Sequence, residues 1–191
     1  MERLYYGNDT FCVGIDELKN VHRTKSDELV RMASTQYSHL MAVQLLNPVL
    51  IAGPLHLLSA AQNALNAWMG KYAVARSLGV EVVRFASAQK QISTALQKMG
   101  VADEMETVAV LVIDRDPERV AECINRLSLG IGPGCDIPFE PSAERMRNVM
   151  ETFDITAEEI RTIAASESLP DLLESLSRCV AGRVSLVAFE D

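Results

Sequence analysis

The chain has 191 residues, 48% of them hydrophobic and 23% charged, with a formal net charge of −8. That length suits one domain with a sizeable core, and the acidic balance counts against a surface that holds nucleic acid all round. The charge is unevenly spread, however: residues 1–100 carry ten Lys and Arg against seven Asp and Glu, and residues 101–191 carry eight against nineteen. Such asymmetry is itself a signal.

The opening MERLYYGNDTF has no apolar targeting core. The most apolar window, Met41 to Leu58, is interrupted by Asn47-Pro48 and Gly53-Pro54, so it cannot form one membrane helix. The four cysteines, Cys12, Cys123, Cys135 and Cys179, form no CxxC and have no histidine near them in sequence. No zinc site and no cofactor are expected, and the thiols fit a reducing cytoplasm.

Taken in order, residues 3–6 and 11–15 can pair as a hairpin around Gly7-Asn8-Asp9. A helix is expected within 16–33, behind Ser26-Asp27-Glu28. Leu40 to Leu46 is apolar on both faces, as in a covered strand. Pro48 to Gly53 reads as extended. Pro54 opens a helix whose apolar face is Leu58, Ala61, Leu65 and Trp68, ended by Gly70. Val80 to Ala86 alternates as a strand would. Ser87 caps a helix with Ile92, Leu96 and Met99 inward. Thr107 to Ile113 is β-branched and apolar, hence a central strand. Asp116-Pro117 starts a helix facing inward through Val120, Ile124 and Leu127. Gly130 to Pro141 reads as a loop. Three helical pieces follow, the second behind the capping box Thr156-x-x-Glu159 and the third behind Ser168-x-x-Asp171. Arg183 to Phe189 alternates as a closing strand. The expectation is one α/β (α+β) domain over residues 1–191, with a mixed sheet, packed helices and a helical C-terminal region closed by a final strand.

The catalytic motifs are weak. Gly130, Gly132 and Gly134 lack the spacing and the Lys-Ser/Thr of a phosphate loop. Cys135 would need a base, and His22, His39 and His56 all lie far upstream. Asp114-Arg115-Asp116 and Glu158-Glu159 read as helix starts. The informative feature is a basic island. Over residues 45–100 the cations are Lys71, Arg76, Arg84, Lys90 and Lys98, and the one acid is Glu81. Two helix starts fall in the island, and helix starts favour anions. If those helices lie side by side, His56, Lys71, Arg76, Lys90 and Gln91 line one donor-rich groove suited to a nucleic-acid backbone or end. The competing reading is five scattered surface side chains.

Three stretches then resemble a known family. They are NPVLIAGPLHLLSAAQNAL at 47–65, ARSLGVEVV at 75–83, and ASAQKQISTALQKMGV at 86–101. They look like the small kinase-binding subunit of the KEOPS complex, the PRPK-binding protein family. The likeness is weaker but in order at Thr107 to Ile113 and at Phe153-Asp154-Ile155-Thr156. The resemblance implies a non-catalytic cytoplasmic subunit of a complex that makes N6-threonylcarbamoyladenosine at position 37 of tRNA. It implies a small atypical kinase/ATPase as partner and capture of tRNA by its single-stranded 3′ CCA end, with no membrane or DNA partner. On that basis His56, Lys71, Arg76, Lys90 and Gln91 are the expected tRNA contacts. The row Leu169, Leu172, Leu173 and Leu176 is the candidate kinase face, against the plainer reading that it closes the core. The acidic segment Asp114 to Pro141 departs from the shorter family pattern. Two rival functions remain at this point: a cysteine-dependent enzyme built on Cys135, and a protein-binding regulator without tRNA affinity.

Overall fold

The computed structural model describes residues 1–35 and 37–188. Gly7 takes φ +58, which opens the two-residue turn between strands β1 (Glu2–Tyr6) and β2 (Asp9–Lys19). Strand β3 is Ala42–Leu46 and β4 is Thr107–Asp114. The four strands lie in the order β1-β2-β4-β3. All three pairings are antiparallel, so the sheet is not mixed as expected. The central place expected for Thr107 to Ile113 is borne out: β4 pairs with β2 from Cys12↔Asp114 to Lys19↔Thr107 and with β3 on its other side.

Alternation along β4 divides the core in two. Ala109, Leu111 and Ile113 face one side, and Val108, Val110 and Val112 the other. The first face carries α2 (Pro54–Met69), α3 (Leu78–Ala86), α4 (Ile92–Met99), α6 (Ala143–Phe153), α7 (Ala157–Ile163) and α8 (Leu169–Leu186). The second face carries α1 (Ser26–Thr35) and α5 (Pro117–Ile131). This is the expected α/β class, with helices covering both faces of one sheet. Asp116 caps α5 through the Glu118 N–H, and both arms of the Thr156/Glu159 capping box form at α7. No helix among the described residues is long and apolar enough to cross a membrane.

Two expected strands are helices. Residues 80–86 lie in α3, which starts when the Ser77 hydroxyl accepts the Val80 N–H. Every residue of α3 except Val80 is buried, so no polar face marks the helical period, and its three valines mimic a strand. Gly79 matters to this packing: a Cβ there would stand 3.1 Å from Gln44 Oε1 of β3, and its absence lets the helix start close on the sheet. Ser87 accordingly ends α3 instead of capping α4. Residues 183–186 of the expected closing strand continue α8, where Val180 and Val184 are buried at helical spacing. Phe189, the end of that expected strand, lies outside the described residues.

The acidic segment is tied in by one buried carboxylate. Glu17 of β2 accepts the Thr107 hydroxyl at 2.7 Å and the Phe139 N–H at 2.6 Å. Arg145 of α6 approaches the same carboxylate at 3.7 Å and donates to the carbonyls of Pro48 and Ile51. At the outer sheet edge, the Gln62 amide of α2 accepts the Tyr5 N–H at 3.0 Å and donates to the Tyr5 carbonyl at 2.8 Å.

Candidate functional site

Helices α2 and α3 run antiparallel, because His56 at the start of α2 bonds Ala86 at the end of α3. Pro54 fits the first turn of α2, and Gly53 before it takes φ +147. His56 then points inward and is fully buried. Its Nδ1 accepts the Ala52 N–H at 3.3 Å, which leaves Nε2 to donate to the Ala86 carbonyl at 2.7 Å. The ring stands edge-on to Phe153 of α6, 5.3 Å between centroids. Burial pulls its pKa from 6.5 down to about 4, and the Ala86 bond only partly opposes that shift. This corrects the expectation for His56: it is a neutral core residue that joins three elements, and it does not line a surface groove. Nothing in the sequence names its two backbone partners, which come from 4 and 30 residues away.

Arg84 also turns inward. In a strand it would face away from Glu81, but α3 brings the two together at the i, i+3 spacing. Both are buried, and Arg84 Nε and an Nη donate to Glu81 Oε1 at 3.0 and 2.8 Å. The other Glu81 oxygen accepts the Ala75 N–H at 2.8 Å, which fixes the connection between α2 and α3. The second Arg84 Nη has no hydrogen-bond partner among the described residues. This internal pair cancels its own charge. The other cations of the basic island are Lys71, Arg76, Lys90 and Lys98, of which the first three are exposed. Lys98 is half-buried and donates to the Thr152 carbonyl at 3.4 Å.

The expected groove residues divide between the two ends of the α2/α3 pair. Lys71 and Arg76 stand on the α2–α3 connection. Lys90 and Gln91 stand beyond the other end of α3, before α4. The nine residues of α3 separate the ends by about 13 Å along its axis. Lys71 adopts φ +62, an αL conformation disfavoured for a lysine. Gln91 is the N-cap residue of α4 but makes no side-chain cap bond. Between Lys71 and Arg76 the ring of Tyr72 is 53% exposed, a feature that the charge count alone overlooked.

The remaining candidates resolve as follows. Leu173 and Leu176 are buried in the core, while Leu169 and Leu172 are half-buried against it. Leu173 and Leu176 close the core, and Leu169 and Leu172 pack against it while keeping part of their surface exposed. The Cys135 thiol is pushed above its ordinary pKa by burial and then by Glu17, the opposite of what a nucleophile requires. Among the described residues, no three His, Cys, Asp or Glu side chains group to hold a metal ion. An apolar groove of about 640 Å³ runs beside β3, lined by residues that include Val30, Tyr37, Val43, Val80 and Leu96.

Paired surface cations, a fixed connecting loop and an apolar groove on an α/β frame are the equipment of a binding protein. The chain belongs to the family described as Kinase binding protein CGI-121, whose model matches residues 18–188. No curated protein matches it. Membership gives it a kinase-binding accessory role, in agreement with the resemblance carried by residues 47–101.

Proposed function

We propose that this protein is the kinase-binding subunit of a cytoplasmic KEOPS-type complex and that it recruits tRNA to that complex by the single-stranded 3′ CCA end. It contributes no chemistry of its own to threonylcarbamoylation of the adenosine. The observation that carries the tRNA part is the exposed basic island: with Glu81 and Arg84 paired internally, Lys71, Arg76 and Lys90 stand at the surface in a stretch, residues 45–100, whose one acid is Glu81. These three cations and Gln91 are the proposed tRNA contacts, spaced along α3 so that an extended strand can touch both ends. For the kinase, the half-buried Leu169 and Leu172 are the part of the leucine row left open to a partner.

The test is equilibrium binding of a tRNA transcript across a salt series, with and without the terminal CCA. Affinity should fall steeply with salt, and removal of CCA should abolish most of it. Kinase co-purification without any tRNA affinity would instead establish a protein-binding regulator.

A further inference from the structure

We propose that Tyr72 is a stacking platform for an unpaired base of the bound strand. The proposal rests on the tRNA reading above and adds a named contact to it. Tyr72 is one of the more exposed large hydrophobic side chains of the domain, at 53%. Its ring rests on Gly70: a Cβ at that position would stand 2.6 Å from Tyr72 Cε1 and 2.9 Å from Cδ1. The backbone beneath it is fastened. Lys71 N–H donates to the Trp68 carbonyl at 3.3 Å, and the Tyr72 and Ala73 N–H groups both donate to the Ala67 carbonyl, at 3.0 and 3.1 Å. An aromatic ring supported from below by a glycine, on a loop already fixed, loses little freedom when a ligand covers it.

The surroundings select the ligand. Lys71 and Arg76 are exposed on the same connection, and residues 70–77 include no acid. An aromatic ring between cations fits the two halves of a nucleotide, with the base on the ring and the phosphates on the amines. Tyrosine and arginine also serve protein interfaces, and the kinase arm of the experiment below separates that occupant from a nucleotide. Paired RNA would hide its base faces, so the matching ligand is single-stranded.

The experiment uses the full chain and three variants, Tyr72→Ala, Tyr72→Phe and Lys71→Ala. They are titrated with a tRNA carrying 2-aminopurine at the terminal position and with the same tRNA lacking CCA. Tyr72→Ala should weaken binding to the intact tRNA about five- to a hundredfold and leave the truncated one unchanged. It should also abolish the fluorescence change on binding, with the salt slope kept. Tyr72→Phe should stay within about twofold of the parent, while Lys71→Ala should lower the salt slope by about one. Unchanged affinity in Tyr72→Ala, or an equal loss on both tRNAs, overturns the platform. Loss of kinase co-purification with tRNA affinity intact would assign the ring to the kinase and overturn it equally. If the parent protein itself ignores the CCA end, the tRNA reading has failed first, and that outcome is distinguishable from failure of Tyr72 alone.

Discussion

The two ends of α2 invite comparison. At its start, His56 is turned into the core, neutral, with both ring nitrogens bonded to backbone. Past its end, Lys71 and Tyr72 are turned out, on a backbone equally well bonded but with side chains held toward solvent. Both ends sit in one basic stretch of sequence, and both looked like parts of one groove. The difference teaches that a polar residue near a helix end serves the fold when backbone partners reach its side chain and stays at the surface when they do not. Glu81 and Arg84 are likewise turned inward and bonded, whereas Lys71 and Arg76 stand at the surface.

The strongest way to break this contrast is at the buried pair. Arg84→Met should destabilise the domain by about 3–5 kcal/mol in urea unfolding, because Glu81 would be left buried without its partner. Replacing both members with apolar residues of similar volume should cost much less. A loss under 1 kcal/mol in Arg84→Met would show that the pair is hydrated and belongs with the surface charges.

The next test is pH. Unfolded His56 takes up a proton below about 6.5, but folded His56 does so only near 4. Between those values the unfolded state binds the extra proton, so stability falls as the pH drops through that window. The contribution is fully present above it and amounts to about 3 kcal/mol. Unfolding of the parent and of His56→Gln between pH 4 and 7 isolates it: the variant should lack that part of the slope. Equal slopes would place His56 in contact with water after all.

At the exposed cations of both ends the effects should move from stability to binding. Arg76→Glu and Lys90→Glu should each change stability by no more than about 0.5 kcal/mol while weakening tRNA binding and its salt dependence. Unaltered tRNA affinity in the double variant would remove these residues from the interface. At Lys71 the stability effect is expected to have the opposite sign. Lys71→Gly relieves the αL backbone and should leave the domain unchanged or more stable by up to about 1 kcal/mol, yet bind tRNA less well. A protein that tolerates strain for a lysine it does not need would be hard to explain.

Much of this frame was legible before any coordinates. The hairpin at Gly7-Asn8, the central strand at 107–113, the proline-led helix start at Pro54 and the capped ones at Asp116 and Thr156 all depend on neighbours within a few residues. So did the family likeness. What escaped depends on distant partners. Residues 80–86 look like a strand because a helix buried on nearly every side carries no polar stripe. His56 looked solvated because the Ala86 carbonyl reaches it only once α3 is in place. One local clue was available: Glu81 and Arg84 are spaced for a helix and would be parted by a strand. The leucine row had the right period for α8 but no feature to tell closure of the core from an open face.

The Gln62 amide also has a consequence beyond its own two bonds. By matching both the donor and the acceptor of Tyr5, it imitates a fifth strand laid along β1. A sheet normally has two open margins through which chains can zip together. Here the outer bonding position at Tyr5 on one margin is already occupied by a side chain of the domain itself. The opposite margin, at β3, pairs with no further strand among the described residues.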